Sequence, residues 1–258
     1  MNRLLENLLR PFWEALFPAI CLVCHSYLPS QREEYSKDPT LDNLAPYFCP
    51  SCREDIQPVH FPICNRCGIP FALREDENHL CGECIEGNGY FRKARAFGLY
   101  TGTLRKAIHL LKFGKRTGLA RPLGALSRLA FSRFWDKDLV DLLIPVPLHI
   151  KRLRERGFNQ SFLLIKEWVR EEGIACDTGI LRRVRQTRPH SELSRKERIS
   201  NVRGAFKLTR PEKVKDRTVI LVDDVYTTGA TVNECARLIK EAGAKDVDIL
   251  TLARAVRG

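Results

Sequence analysis

The most informative stretch of the sequence is VILVDDVYTTGAT, residues 219–231. Its first four residues form an apolar run that ends in two carboxylates, Asp223 and Asp224, and the polar loop YTTGAT follows. A short apolar run bounded by charged residues is typical of a strand buried in a parallel sheet. A helical pattern opens near Thr231. The stretch therefore predicts a strand, a tight loop and a helix in direct succession.

Two further apolar runs, residues 141–146 (DLLIPV) and 247–252 (VDILTL), predict strands of the same sheet. Helical patterns occupy residues 104–112, 160–170 and 231–242. Strands that alternate with helices indicate an α/β fold, with a parallel doubly wound sheet and helices on both faces. Ligands bind such sheets beyond the carboxyl ends of the strands. We expect residues 223–231 to lie there.

The residues at this predicted strand end suit a sugar phosphate. Backbone N–H groups of a loop and of a helix N-terminus attract a phosphate. The hydroxyls of Thr227, Thr228 and Thr231 add donors, and Gly229 allows the backbone to approach closely. The two carboxylates before the loop accept hydrogen bonds from adjacent hydroxyls such as those of a ribose. A Walker B strand and a dinucleotide site are disfavoured, because the sequence has neither G-x-x-x-x-G-K-S/T nor G-x-G-x-x-G.

Charge divides the 258-residue chain into two parts. Its net charge of +12 is uneven, since residues 1–93 carry −4 and residues 94–258 carry +16. Eight of the ten cysteines lie in residues 1–93. We expect an amphipathic helix over residues 1–18, a cysteine segment over residues 19–93 and a sheet segment over residues 94–258. The sequence has no apolar run of 18 residues, so it predicts no membrane span.

The spacing of the cysteines predicts metal binding. A Cys-x-x-Cys turn directs two thiolates at one ion, and Zn²⁺ takes four such ligands in a tetrahedron. The gaps of 24 and 13 residues between consecutive turns suit zinc ribbons, although sequential and interleaved pairing of the turns both fit. Disulfides are the competing interpretation. No export signal is recognisable, so we expect a cytoplasmic protein with reduced thiols and two structural zinc ions. The predicted zinc ligands are Cys21, Cys24, Cys49, Cys52, Cys64, Cys67, Cys81 and Cys84.

Several of these motifs together resemble those of the ComF family. The stretch over residues 219–231 looks like the phosphoribosyl pyrophosphate (PRPP) motif of type I phosphoribosyltransferases. With LKFGKR (residues 111–116), VPLHIKRLRERGFNQS (residues 146–161) and the four cysteine pairs, the resemblance extends over nearly the full chain. That family joins a double zinc ribbon to a type I phosphoribosyltransferase-like domain and is associated with natural competence and imported DNA.

The resemblance implies a ligand, partners and residue roles. The ligand would be PRPP with Mg²⁺, and the partners would be single-stranded DNA and a competence helicase or another DNA-processing protein. The catalytic pair Asp223 and Asp224 would hold the ribose hydroxyls and stabilise positive charge on the sugar ring. The residues implied for the 5′-phosphate are Thr227, Thr228, Gly229, Ala230 and Thr231. Those implied for the pyrophosphate are Lys112, Arg116, Pro147, Lys151 and Arg156.

Three functions stay open at the level of sequence: a phosphoribosyltransferase, a non-catalytic PRPP or nucleotide sensor, and an adaptor for single-stranded DNA. Residues 182–207 bear on this choice, because they carry nine basic and two acidic side chains. Their polar, Arg-rich composition suits a solvated face, a mobile lid over a PRPP site or a nucleic-acid contact.

Overall fold

The structure is a computed structural model that describes residues 16–29, 38–71, 77–87, 89–188 and 194–256. The predicted helix over residues 1–18 therefore lies, apart from its last three residues, outside the described part. The strands are β1 Ala94–Leu99, β2 Leu142–Pro145, β3 Leu181–Arg183, β4 Phe206–Leu208, β5 Thr218–Tyr226 and β6 Asp246–Arg254. The helices are α1 Pro50–Glu54, α2 Gly82–Glu86, α3 Gly102–Phe113, α4 Ala120–Phe134, α5 Ile150–Arg156, α6 Gln160–Leu163, α7 Lys166–Glu172, α8 Arg195–Val202 and α9 Ala230–Glu241.

The central sheet has four parallel strands in the order β1-β6-β5-β2. The three predicted strands are confirmed as β2, β5 and β6, and β5 continues past the predicted end to Tyr226. Strand β1 was not predicted, because Arg95 and Gly98 interrupt its apolar pattern. The segment beyond α7 pairs with the outer edge of β2 through Leu143, whose N–H donates to the Ala175 carbonyl oxygen at 2.9 Å.

Helices cover both faces of the sheet, as the α/β prediction requires. Alternate residues of one strand enter opposite cores, since side chains of a strand point alternately to either side. Ile220 and Val222 lie in a core built with α3, α4 and α7, whereas Val219 and Leu221 lie in a core built with α9. The fold class is confirmed.

Two predicted helices are confirmed, whereas the third is divided. The pattern over residues 104–112 corresponds to α3, and the pattern over residues 231–242 corresponds to α9. The pattern over residues 160–170 contains α6 and α7, with Leu164 and Ile165 between them. The indole N–H of Trp168 donates to the Leu164 carbonyl oxygen at 2.9 Å, so the backbone at the break has a side-chain partner.

The basic stretch over residues 182–207 contains ordered elements rather than one continuous loop. Strands β3 and β4 form a separate antiparallel pair. Helix α8 begins with a capping box, in which Ser194 and Glu197 each accept a hydrogen bond from the other's backbone N–H. Residues 189–193 lie outside the described part. The stretch thus contains two antiparallel strands whose connection includes α8, and the Gly204 N–H after α8 donates to the Glu234 carboxylate of α9 at 2.9 Å.

The cysteine segment packs against the sheet segment and shares both of its cores. Leu44, Phe48 and Cys49 belong to the same core as α3 and α4. Cys64 and Cys67 belong to the core that contains α9. Helices α1 and α2 begin directly after Cys49 and Cys81. Among the described residues, no helix combines the length and the apolar character that a bilayer crossing requires.

Candidate functional site

A cavity of about 570 Å³ lies beyond the carboxyl ends of β5 and β2. The loop that follows β5 forms one wall, and the loop after β2 together with α5 forms the other. The end of α3 and the strand β3 close the remaining sides. Of the residues that the sequence predicts for this site, the cavity is lined by Lys112, Pro147, Arg156, Asp223, Asp224, Thr227, Gly229, Ala230 and Thr231.

The two carboxylates lie at the inner end of the cavity. Asp224 is only 5% exposed. One of its oxygens contacts the Lys112 ammonium group, and the other accepts the Val225 backbone N–H at 2.9 Å. Asp223 accepts a hydrogen bond from the Ser161 hydroxyl at 3.0 Å and another from the Asp224 N–H at 2.9 Å. Both carboxylates are therefore held in place by protein donors.

Burial and neighbouring charges change the pKa values at this end of the cavity. Burial raises the pKa of the Asp223 carboxyl, and the positive charges of Lys112, Arg183 and Arg156 oppose that rise. Burial, together with the smaller effects of the Arg156 and Arg152 charges, lowers the pKa of Lys112 to about 8, and the Asp223 charge opposes the change. The ionisable groups at this end of the cavity shift one another's pKa values, which is common in binding sites and active sites.

The loop after β5 is shaped to receive an anion. Gly229 has a φ of +74°, and a Cβ atom there would collide with the Tyr226 hydroxyl, so glycine is required. Gly229 is also the residue before α9 and has no side chain to cap that helix. The partial positive charge of the helix N-terminus therefore faces the cavity next to Ala230 and Thr231. Thr228 does not line the cavity, and its hydroxyl accepts the Ala230 N–H at 3.4 Å.

Arginines line the opposite wall. Arg152 and Arg156 project from α5, and the Arg156 guanidinium contacts the Gln160 side chain. Burial lowers the pKa of Arg156, and the nearby Arg152 charge acts in the same direction. Clustered positive charges in a cavity favour an anionic ligand.

Two basic residues predicted for the pyrophosphate do not line the cavity. Lys151 is absent from its walls, although it follows the loop after β2. Arg116 lies against the cysteine segment, where its Nη1 is 2.7 Å from the Nε2 of His25 and 3.5 Å from the Leu22 carbonyl oxygen. The sequence placed Arg116 close to Lys112, but the chain turns after α3 and separates them.

Two residues that line the cavity, Phe113 and Arg183, were not singled out from the sequence, and neither was Ser161, which lies behind the cavity wall and donates to Asp223. The Arg183 side chain extends from β3, and its Nη2 contacts the Thr187 hydroxyl while its Nε is buried with no hydrogen-bond partner among the described residues. Phe113 is 65% exposed, and the Arg156 guanidinium lies 5.5 Å from the centre of its ring. Phe113 lies in the motif over residues 111–116, Ser161 ends the motif over residues 146–161, and Arg183 lies in the basic stretch over residues 182–207, but the sequence marked none of these three positions individually.

The eight paired cysteines form two clusters, and both have the arrangement of a zinc site. The first cluster is Cys21, Cys24, Cys49 and Cys52, and the second cluster is Cys64, Cys67, Cys81 and Cys84. The pairing is therefore sequential. Within each cluster all four sulfurs lie within 4.8 Å of one another.

The sulfur distances agree with tetrahedral zinc. The Cys24 and Cys49 sulfurs are 3.5 Å apart, and those of Cys67 and Cys81 are 3.7 Å apart. A Zn–S distance of about 2.3 Å places sulfurs about 3.8 Å apart in a tetrahedron. All ten cysteines are free of disulfides. Four thiolates leave no open coordination position, so the zinc ions are structural.

Comparisons with known proteins agree with both halves of the structure. The family model described as Phosphoribosyl transferase domain matches residues 169–258, and that described as Double zinc ribbon domain matches residues 12–85. Competence protein F of Haemophilus influenzae is 34% identical over 212 residues, which are 81% of this chain and 90% of that protein. DNA utilization protein YhgH of Salmonella typhimurium is 33% identical over 210 residues, 80% of this chain and 90% of that protein. Competence protein ComFC of Bacillus subtilis is 29% identical over 248 residues, 91% of this chain and 95% of that protein. The chain belongs to the ComF family, in which a double zinc ribbon is joined to a phosphoribosyltransferase-like domain.

Proposed function

We propose that the cavity binds PRPP with Mg²⁺ and that the protein uses this site in the handling of imported DNA. One observation carries the ligand assignment: the buried Asp224 and the half-buried Asp223 adjoin a glycine-containing loop that leads into a helix N-terminus, all facing one cavity. The role in DNA handling rests on the relatives, whose names are Competence protein F and DNA utilization protein.

The cavity offers complementary chemistry to each part of PRPP. The carboxylates of Asp223 and Asp224 suit the ribose hydroxyls, because ionised carboxylates act as acceptors. The loop at residues 227–231 suits the 5′-phosphate. Arg152 and Arg156 on the opposite wall suit the pyrophosphate. The three chemical groups of the ligand are thus matched by three adjacent surfaces.

Lys112 has a specific place in this proposal. Without ligand its ammonium group contacts the Asp224 carboxylate. A ribose hydroxyl that donates to Asp224 competes for the same oxygen and leaves Lys112 available to a pyrophosphate oxygen. The ammonium group then neutralises charge on the leaving group, which is the usual contribution of a cation to phosphate chemistry.

The arrangement also suits transfer at the anomeric carbon. Pyrophosphate leaves with the electron pair of its bond to that carbon, the sugar ring acquires positive charge, and a nitrogen of the acceptor base supplies the electron pair of the new bond and then loses its proton. The negative charges of Asp223 and Asp224 suit stabilisation of that ring. Bound Mg²⁺ supplies neutralisation of the departing pyrophosphate. A protein that binds PRPP without releasing pyrophosphate acts as a sensor instead. Measuring pyrophosphate release with a panel of bases therefore distinguishes a phosphoribosyltransferase from a PRPP sensor.

The binding proposal is tested by titration of PRPP with Mg²⁺ into wild-type protein and Asp224→Asn in a calorimeter. Loss of a hydrogen bond to a charged group costs about 1.5–3 kcal/mol, so we expect affinity to fall by about 10- to 100-fold. Asp136→Asn is the matched control, because Asp136 caps an exposed turn at residues 137–139 by accepting the Asp138 N–H. Equal affinity of the wild-type protein and Asp224→Asn would overturn the assignment.

A second candidate function, binding of single-stranded DNA, is favoured by the rim of the cavity. The ring of Phe113 is exposed and lies beside Arg156 and Lys115. An aromatic face next to cations is the chemistry by which proteins stack unpaired bases. We expect Phe113→Ala to weaken binding of an oligothymidine, and log affinity to fall linearly with log salt in the wild-type protein. An oligothymidine that binds Phe113→Ala as tightly as wild type argues against this function.

A further inference from the structure

Arg254, the last residue of β6, connects the second cysteine cluster with the loop of the candidate site. Its side chain is buried, with only 4% of the residue exposed. The guanidinium Nε donates to the Cys67 carbonyl oxygen at 3.2 Å, and Nη2 lies 3.6 Å from the Cys67 sulfur. Nη1 donates to the carbonyl oxygens of Tyr226 at 3.2 Å and of Thr227 and Ala255 at 2.9 Å. One side chain therefore holds groups from three separate parts of the chain.

On the loop side, Arg254 fixes both the backbone and the aromatic ring of Tyr226. The guanidinium lies 4.3 Å from the centre of that ring. The Tyr226 hydroxyl in turn occupies the space that a Cβ atom at Gly229 would need. Arg254 thus contacts the start of the loop at Thr227 directly and the middle of the loop at Gly229 through Tyr226.

On the cysteine side, Arg254 contacts one of the four predicted zinc ligands. A zinc ion with four thiolates has a net charge of −2, and an adjacent guanidinium offsets part of that charge. The Cys67 turn is itself fixed to the sheet, because the Ala94 N–H donates to the Arg66 carbonyl oxygen at 2.6 Å. Cys67 contacts Arg254 directly, so a shift of Cys67 also shifts the Arg254 side chain.

We propose that Arg254 is a positioning residue that couples zinc in the second cluster to the loop at residues 227–231. Loss of that zinc removes the charge and the fixed geometry around Cys67, so Arg254 no longer holds the loop in its binding conformation. Zinc at this cluster then controls the affinity for the phosphate of the sugar. This inference rests on the proposed binding of PRPP at the loop.

The first test uses Arg254→Lys, because lysine keeps the charge and the length of the stem but cannot donate from a planar fork. Arg92→Lys is the matched control, since Arg92 binds Asp248 and Asp246 near the opposite end of β6. Hydrogen exchange of the amides at residues 226–232 is measured together with the zinc content and the affinity for PRPP with Mg²⁺. We expect Arg254→Lys to speed exchange at these amides and weaken PRPP binding by about tenfold, as outer-shell substitutions do. Unchanged exchange at residues 226–232 would overturn the inference.

The second test removes zinc from one cluster at a time. Cys24→Ser affects the first cluster and Cys84→Ser the second, and neither cysteine is fully buried. We expect Cys84→Ser to speed exchange at residues 226–232 and to lower PRPP affinity, whereas Cys24→Ser leaves that loop unchanged. Near-ultraviolet circular dichroism checks that each variant remains folded. Equal effects of the two substitutions on the loop contradict the coupling.

These measurements separate the inference from the function on which it rests. Failure of wild-type, zinc-loaded protein to bind PRPP overturns the proposed function and the part of the inference that concerns affinity. Hydrogen exchange then still decides whether Arg254 positions the loop, since that measurement needs no ligand. Binding by wild type with no change in Arg254→Lys overturns the inference alone.

Discussion

The cysteine segment and the sheet segment of this protein obtain their stability in different ways. The cysteine segment has helices of only five residues, α1 and α2, and its zinc sites take the place of a large apolar core. The sheet segment buries its strands β2, β5 and β6 on both faces. The free energy gained by burial of these strands offsets the cost of burying charge at their carboxyl ends. The buried Asp224 and its partner Lys112 lie there. The metal clusters thus support the structure of one segment, while the other segment holds the ionisable groups of the cavity.

The largest effect is expected from loss of a zinc ligand. Cys49 lies in the first cluster and in the core shared with α3 and α4, so its loss affects both segments. Structural zinc contributes on the order of 10 kcal/mol to folding of small domains, and we expect Cys49→Ser to lower the free energy of unfolding by at least about 3 kcal/mol. Zinc content and urea unfolding measure the effect.

Cys176→Ser is the control for this comparison. Cys176 lies outside both clusters, so this variant should keep two zinc ions per chain and lose little stability. A Cys49→Ser protein that still binds two zinc ions with unchanged stability would show that the cysteine segment does not depend on the first cluster.

A smaller effect is expected from the buried charge of Lys112. Its pKa falls from 10.5 to about 8 on folding, chiefly because of burial. Between these values the unfolded chain binds the proton and the folded chain does not, so the free energy of unfolding rises with pH above about 8. Each pH unit between the two pKa values changes the free energy of unfolding by about 1.4 kcal/mol. We therefore expect the free energy of unfolding to rise by about 2 kcal/mol between pH 8 and 9.5.

Lys112→Met removes this contribution and isolates it from other groups that titrate at the same pH. Urea unfolding of both proteins at pH 8 and 9.5 should show a rise in wild type that is absent from the variant. Parallel changes in the two proteins would show that burial of Lys112 does not influence the stability of the sheet segment.

The smallest effect is expected from the hydroxyl that supports Asp223. Ser161→Ala removes the hydrogen bond of 3.0 Å to that carboxylate. A bond of this kind contributes about 1 kcal/mol, so we expect PRPP affinity to fall about fivefold while zinc content stays the same. Ser132→Ala is the control, because its hydroxyl donates to a carbonyl oxygen within α4, away from the cavity. A larger loss of PRPP affinity in Ser132→Ala than in Ser161→Ala would contradict a role for Ser161 at the site.

The sheet was more predictable from the sequence than the site was. Local patterns of apolar residues indicated β2, β5 and β6, because a strand buried on both faces needs apolar side chains at nearly every position. Strand β1 lacks this pattern, since it carries Arg95. The Arg95 guanidinium donates hydrogen bonds to the backbone oxygens of Ala94 and Asn65. Pairing of the cysteine turns was also not predictable, because sequential and interleaved arrangements fit the same spacing.

The residues around the cavity come together through packing of distant segments, which local patterns do not report. Lys112 was expected near a pyrophosphate, and the structure places its ammonium group on Asp224. Arg116, only four residues later, contacts His25 of the cysteine segment instead. Arg183, which lines the cavity, was predicted only as one member of the basic stretch over residues 182–207, and Arg254, which contacts the loop after β5, had no motif. Such contacts depend on the sheet order, which brings the ends of β2, β5 and β6 to one edge.

The central claim is that the loop after β5 holds the phosphate of a ribose phosphate. The most direct measurement is a titration of ¹⁵N-labelled protein with ribose 5-phosphate and, separately, with pyrophosphate, followed by amide chemical shifts. We expect ribose 5-phosphate to shift the amides of Thr227, Gly229 and Thr231, whereas pyrophosphate shifts those near Arg152 and Arg156. If ribose 5-phosphate leaves the amides of residues 227–231 unmoved at saturation, the loop does not hold the phosphate.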